Sequence, residues 1–342
     1  MDIADGLTLP RLCTTTIRCG KIFIASQRIL NFCGCALVYP PLNQQRGGFG
    51  MFAVVVGYAE KLKRNSVRMA RVALNPKMER RAKFLLNQAL IGEDPAIRIP
   101  EDSGWTRLAV DQLDGLEAAV RQVSAFAREW AADASRSPIR KSYLFNMMRP
   151  QEVLDHPAFL SIALDGGILA AVARYLGQAP CLQKFSIMRS PPNSSSDGSQ
   201  LYHYDHRDSR QAKLFLNLCD VTDAAGPTHF LSAADSKRID AKVGYRQDRY
   251  TDDQIYSAVP QSRVINTVGP AGTGFLIDTA RCLHYGSRGN STDRLVLLAS
   301  YVRTNNVNRS DGCEVLDPIR KQLAAERYAD DPVRSFALTA SC

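Results

Sequence analysis

The chain changes texture at Gly177, and that change limits its fold more than any other feature. Upstream, apolar residues recur at helical spacing. Leu113, Leu116, Val120, Val123, Ala127 and Trp130 fall three or four apart, which places them on one face of a helix over 111–134. A second helical stretch over 156–177 has Pro157 in its first turn and Gly177 at its C-terminal cap, with Asp165-Gly166-Gly167 dividing it in two. Downstream, short runs with period two or strong β-propensity occupy 183–189, 199–205, 211–219, 262–268, 273–278 and 293–303. Turn signals at Pro191-Pro192-Asn193, Ala225-Gly226-Pro227, Gly269-Pro270 and Gly289-Asn290 separate them. Helices followed by many short strands predict a mainly β sandwich or barrel with helices packed outside it. A doubly wound sheet is disfavoured, because strands and helices do not alternate after 180, and no GxGxxG or P-loop occurs.

With 45% hydrophobic and 23% charged residues over 342 positions, the chain has the balance of a folded protein rather than a disordered one. No uninterrupted apolar run reaches the ~18–20 residues that cross a bilayer. Arg11 and Arg18 fall where the apolar centre of a signal peptide would run, so the expected location is cytoplasmic. Nine scattered cysteines, an odd number, argue for reduced thiols rather than a disulfide scaffold. Cys33-Gly34-Cys35 has no second Cys/His pair nearby to complete a zinc site.

The net charge of +9 sits almost wholly in residues 1–95, which hold 14 Lys+Arg against 6 Asp+Glu. Residues 61–83 alone hold nine basic residues and one acid, Glu79. Such a stretch reads as a phosphate-binding or membrane-surface helix, or as a solvated basic face. It lacks aromatic stacking residues and no nucleic-acid fold signature accompanies it, so nucleic acid is not the expected partner. Residues 1–60 show no clear period. The expected division is a basic N-terminal extension over 1–95, a helical entry region and β domain over 96–305, and a polar tail over 306–342.

Five histidines occur, at 156, 203, 206, 229 and 284, and four of them lie in the strand-rich half. In Ser199-Gln200-Leu201-Tyr202-His203-Tyr204-Asp205, His203 and Asp205 are two apart and would share one face of a strand. A second imidazole from a distant strand would complete a 2-His-1-carboxylate face, which leaves open positions on an iron(II) ion. His284, just past the apolar stretch Gly274 to Asp278, is the natural third ligand. Ten residues on, Arg294 opens Leu295-Val296-Leu297-Leu298; a buried arginine there could clamp a carboxylate with two parallel hydrogen bonds.

These pieces resemble, in order and texture, the phytanoyl-CoA dioxygenase family of iron(II)/2-oxoglutarate-dependent oxygenases. Ser199 to Asp205 is similar to the family's SQxWHxD segment, with Tyr202 in place of the common tryptophan. Lys213 to Val221 is similar to the strand that follows, Gly226-Pro227 to the next turn, and Gly274 to Ser287 to the stretch that carries the distal histidine. The resemblance spans roughly 140–305. It implies a double-stranded β-helix, the cupin-like jelly roll, with helices against one sheet. It implies iron(II) held by His203, Asp205 and His284. It also implies 2-oxoglutarate as co-substrate with its far carboxylate on Arg294, supported by Ser287; Arg288, in a loop, is the poorer clamp. The expected reaction is hydroxylation of an unidentified small organic substrate by O2, releasing succinate and CO2. Where the family has a PGSH turn, this chain has Ser232-Ala233-Ala234-Asp235-Ser236.

Rival readings use the same residues. His206-Arg207-Asp208 is a second HxD, three residues out of step, whose members could instead support the ligands from behind. His229 is a further polar group for the site or a structural one. A zinc hydrolase could draw on His203, His206 and His284, but no HExxH general-base motif accompanies them. The remaining alternative is a non-catalytic jelly-roll binding protein with a polyanion-binding N-terminal segment.

Overall fold

The computed structural model describes residues 49–91, 97–109, 116–133, 135–136, 143–205, 208–244, 248–306 and 312–340. They belong to one compact unit that begins at Gly48. Cys33-Gly34-Cys35, His206 and the start of the helix expected over 111–134 lie outside the described residues.

Helices dominate up to Gly177: α1 (Phe49–Leu74), α2 (Pro76–Ala89), α3 (Leu116–Ala132), α4 (Pro150–Asp155), α5 (Ala158–Ala163) and α6 (Gly166–Leu176), with two short strands among them, β1 (Trp105–Ala109) and β2 (Phe145–Asn146). The break within 156–177 falls where the sequence placed it. The Asp165 carboxylate accepts from Ile168 N at 2.9 Å and so caps α6, and Gly177 closes it in the left-handed region at φ 73°. Ala158–Leu176 is long and apolar enough to span a bilayer, but it is two helices, the second capped by Asp165, and mostly buried in the protein.

The strands follow: β3 (Cys181–Ser190), β4 (Gln211–Asn217), β5 (His229–Phe230), β6 (Ile265–Asn266), β7 (Thr273–Ile277), β8 (His284–Tyr285) and β9 (Arg294–Val302), with α7 (Ala233–Val243) and α8 (Asp252–Ala258) between β5 and β6. They form a six-stranded sheet in the order β1-β7-β4-β9-β3-β2 and a three-stranded sheet in the order β6-β5-β8. All pairings are antiparallel, and an isolated bridge from His203 to His284 extends the smaller sheet past β8. From β3 onward the chain alternates between the sheets: β3 large, His203 small, β4 large, β5 and β6 small, β7 large, β8 small, β9 large. That alternation is a double-stranded β-helix, the cupin-like jelly roll, with helices flanking the large sheet.

The strand-period residues of the large sheet divide cleanly. Leu214, Leu216, Leu276, Leu295, Leu297 and Ala299 join one apolar core with Val120 and Val123 of α3, Phe159, Leu160 and Ile162 of α5 and Ile168 and Val172 of α6. Their strand neighbours Phe215, Phe275, Ile277 and Val296 pack instead with Phe230 of the small sheet. Burial of each Leu or Phe side chain contributes about 1.5–3 kcal/mol.

Some expectations are corrected. The strand expected at 199–205 is a short 3-10 turn, Gly198–Gln200, followed only by bridges at Tyr202 and His203. The run at 262–268 keeps two strand residues, Ile265 and Asn266. Residues 320–327 and 332–339 form α9 and α10 and bury Leu323, Phe336, Ala337 and Leu338, so this stretch is no polar tail. Its arginines make the stretch polar in composition yet serve the backbone: Arg320 donates to the carbonyls of Leu182, Gln183 and Leu338, and Arg334 to that of Leu164. Likewise, α2 of the basic segment packs Ala82 and Leu85 against Ala179, Cys181, Val302 and Phe336. Among the described residues Cys219, Cys282 and Cys313 are free thiols.

Candidate metal centre

His203, Asp205 and His284 come together, with one potential ligand atom from each lying within 4.8 Å of the others. The two imidazoles are paired by the bridge between His203 and His284, whose backbones exchange hydrogen bonds of 3.0 and 3.1 Å, and their ring centres are 4.4 Å apart. Asp205 arrives by a different route from the one expected. It lies beyond the bridge, with its N–H donating to the Thr279 carbonyl at 2.8 Å, so backbone pairing to the β7–β8 connection, not strand alternation, aims its carboxylate.

The state of the donors suits a cation. Each imidazole donates its Nδ1–H to a backbone carbonyl, His203 to Leu201 at 2.8 Å and His284 to Cys282 at 3.0 Å. A carbonyl can only accept, so Nε2 of each neutral ring keeps its lone pair. Burial drives both rings toward that neutral form, opposed by the charge of Asp205. His203 titrates below the ordinary histidine range, and His284, also disfavoured by His203, is pushed down to about 3. Burial works to raise the Asp205 pKa, but Lys213 and the two imidazoles outweigh it and hold the carboxyl well below the usual range. Lys213 Nζ donates to Asp205 Oδ2 at 2.5 Å, and Gln211 Nε2 reaches the same oxygen at 3.3 Å. Two neutral nitrogens and one ionised carboxylate, with no thiolate, form the 2-His-1-carboxylate donor set that fits iron(II); a metal there would share Asp205 with Lys213.

A second element stands beside this cluster. Arg294, the first residue of β9, is buried, and burial pulls its pKa down to about 10. Among the described residues no carboxylate forms an ion pair with it. Its Nη1 donates to Thr228 Oγ1 at 3.0 Å and its Nη2 to Ser287 Oγ at 2.9 Å and Ser190 Oγ at 3.4 Å, while Nε has no partner. Ser287 is held at φ 62°, outside the ordinary range for a residue with a side chain, and its hydroxyl shares a 2.7 Å hydrogen bond with Ser190. Gly286, two residues after His284, leaves room for the guanidinium: a Cβ there would lie 3.3 Å from Arg294 Nη2 and 3.2 Å from Thr228 Oγ1. A buried guanidinium ringed by hydroxyls, with no counter-charge among the described residues, is suited to receive an anion.

The other candidates have structural partners. Asp208 is buried in a two-pronged ion pair with Arg303. Arg288 pairs with both oxygens of Asp252 and stacks on Tyr285 at 3.8 Å. His229 pairs across the sheet with Tyr285, whereas Phe230 pairs with His284. It therefore turns to the sheet face opposite His284, where it stacks on Tyr285 at 4.8 Å and donates to the Pro227 carbonyl. His156 stacks on Phe126 at 4.2 Å.

Sequence reasoning missed Thr228, Ser190 and the role of Lys213. Strand period carried a signal for Lys213, which falls out of step with Leu214 and Leu216. Nothing local marked Thr228 or Ser190, whose hydroxyls meet Arg294 from 66 and 104 residues away.

No family model matches the chain, and no curated protein matches it. Solved structures resemble it. The non-heme, alpha-ketoglutarate-dependent epimerase SnoN from nogalamycin biosynthesis is 18% identical over 64% of this chain and 83% of its own, with a TM-score of 0.38. EctD from S. alaskensis, in its apo form, is 14% identical over 64% of this chain and 85% of its own, with a TM-score of 0.45. HygX from Streptomyces hygroscopicus, solved with nickel, 2-oxoglutarate and hygromycin B, is 13% identical over 60% of this chain and 84% of its own, with a TM-score of 0.42. Likenesses this distant leave the chemistry to be argued from the side chains.

Proposed function

We propose that the protein is an iron(II)- and 2-oxoglutarate-dependent oxygenase that hydroxylates a small organic substrate. The balance is one C–H bond, one O2 and one 2-oxoglutarate giving one C–OH, one succinate and one CO2. The observation that carries this reading is the pairing of a His-Asp-His cluster with a buried arginine that has no acidic partner among the described residues. Within that class, Ser199 to Asp205 and Lys213 to Val221 support a place in or near the phytanoyl-CoA dioxygenase family.

In this reading His203, Asp205 and His284 hold the metal, and Arg294, Ser287 and Thr228 hold the far carboxylate of 2-oxoglutarate. The bound iron supplies oxygen activation coupled to decarboxylation of the 2-oxo acid. The chain's own contribution is positional and electrostatic. The carbonyls of Leu201 and Cys282 fix the imidazole tautomers. Lys213 keeps Asp205 ionised. Phe215, Phe230, Phe275 and Val296 wall the space between the sheets with apolar surface that excludes water.

The test is succinate release from 2-oxoglutarate by the iron-loaded protein under O2, run against a panel of metabolites. Succinate and CO2 formed in equal amounts, in step with O2 consumed, is the expected result. A protein that binds iron but yields no succinate with any member of the panel would favour the non-catalytic binding reading.

A further inference from the structure

Every exposed large hydrophobic side chain among the described residues belongs to one segment. These are Leu62, Met69 and Leu74 of α1, Phe84 of α2, and Ile91 just past the end of α2, at 52, 72, 85, 66 and 75% exposure. The rest of the described surface keeps such residues covered, so their concentration on one helical pair needs a physical cause.

From Leu62 to Ile91 the same segment shows no exposed acid. From residue 61 to 91 the one acidic residue is Glu79, which is buried and bound by Arg68 at 3.0 Å, with Asn305 donating to its second oxygen. Lys77, Arg80, Arg81 and Lys83 are exposed. At 100° per residue, Ala82, Leu85 and Ala89 form the buried stripe of α2, packed on Ala179, Cys181 and Val302. The opposite face carries Lys77, Arg80 and Phe84, with Ile91 continuing the stripe and Lys83 at its flank. Leu62 and Met69, seven apart, mark an exposed stripe on α1.

We infer that the α1–α2 segment docks the protein on a lipid bilayer that carries anionic headgroups. Phe84, Ile91, Leu62, Met69 and Leu74 would enter the interfacial layer, while Lys77, Arg80, Arg81 and Lys83 pair with headgroup charge. Interfacial helices combine these two features, apolar area for insertion and basic residues for attraction to anionic lipid. A second copy of this chain is a poor occupant, because two such faces repel each other. A nucleic acid would use the charge but leave the aliphatic side chains in water. The inference is independent of the proposed oxygenase chemistry, because none of these residues belongs to the metal centre or the Arg294 receptor.

The test is co-sedimentation of the full chain with phosphatidylcholine vesicles, with and without phosphatidylserine, alongside gel-shift of single-stranded RNA. Sedimentation only with phosphatidylserine, weakened by salt, is expected. Lys77→Glu/Arg80→Glu/Arg81→Glu should lower vesicle partitioning at least about a hundredfold, from ~1 kcal/mol per basic residue at an anionic surface. Phe84→Ser/Ile91→Ser should lower it about tenfold or more. Both variants alter exposed positions, so unchanged thermal unfolding midpoints are expected to accompany the losses. Indifference to phosphatidylserine would overturn the inference. So would RNA binding without vesicle binding, or vesicle binding that Phe84→Ser/Ile91→Ser leaves intact.

Discussion

The two faces of the large sheet follow the same two-residue period and carry opposite chemistry. Toward the helices, β4, β7 and β9 present Leu214, Leu216, Leu276, Leu295, Leu297 and Ala299, all joined to one apolar core. Toward the small sheet the alternate positions hold Phe215, Phe275, Ile277 and Val296, but also Lys213, Asn217 and Arg294. On the first face free energy accrues as area removed from water, and any aliphatic residue of suitable volume serves. On the second face each polar group needs a partner. Lys213 finds Asp205, and Asn217 donates to the Thr267 carbonyl at 3.0 Å. Arg294 finds three hydroxyls and, among the described residues, no anion. The helix-side face thus supports the fold, while the inner face carries a cost that, in the proposed function, 2-oxoglutarate would remove.

Substitution at the inner site should therefore cost function before stability. The largest effect is expected from Asp205→Ala. Succinate formation should fall to background and iron binding should weaken; the thermal unfolding midpoint should fall as well, by less than for a core cavity, because Lys213 loses its carboxylate partner while the apolar core keeps its packing. If Asp205→Ala kept full 2-oxoglutarate turnover, the ligand assignment would be wrong. Leu297→Ala tests the opposite face. Leu297 is fully buried, so the cavity should cost about 2–5 kcal/mol in denaturant unfolding. Iron affinity of the folded fraction should not move, although the adjacent Val296 lines the inner space. A loss of iron binding in Leu297→Ala would show that the faces are mechanically coupled.

The difference between the faces also decides what the sequence could reveal. Leu214, Leu216 and Leu218 were legible as one face because hydrophobic burial is periodic and non-directional, and it needs no knowledge of the partner. The caps at Asp165 and Gly177 were legible because they are local chemistry. The meeting of His203, Asp205 and His284 was legible through spacing, and the burial of Arg294 through its place at the start of an apolar strand. Even so, the mechanism that brings Asp205 in, its N–H on the Thr279 carbonyl, is a contact across 74 residues that no local pattern encodes. Thr228 and Ser190 were invisible for the same reason: a hydroxyl that completes an arginine's donor set looks, in sequence, like any surface hydroxyl. The α9–α10 segment shows the converse failure. Its arginines lower the hydropathy of a stretch that is nonetheless docked, because they bind carbonyls of the body.

Arg294 sharpens the contrast from the ligand side. Arg294→Ala should raise the 2-oxoglutarate concentration needed for half-maximal turnover by about a hundredfold or more, the scale for leaving a buried carboxylate without its charged partner. Metal affinity should stay close to that of the parent, since Arg294 touches Thr228, Ser287 and Ser190 and none of the three ligands.

The smallest effect is the most diagnostic. Burial lowers the Arg294 pKa to about 10, so the ligand-free fold bears the cost of a charge it would sooner not hold. Arg294→Met fills similar volume without that charge. It forgoes three hydrogen bonds to hydroxyls, of which Ser190 and Ser287 keep each other at 2.7 Å. In the absence of 2-oxoglutarate the variant should therefore be as stable as the parent or more so, by about 1 kcal/mol. With iron present throughout, adding 2-oxoglutarate should then raise the unfolding midpoint of the parent by mass action and leave that of Arg294→Met in place. If the ligand stabilises both proteins equally, the carboxylate is bound elsewhere. If Arg294→Met is several kcal/mol less stable without ligand, the guanidinium is a structural strut, and the inner face supports the fold as the outer one does.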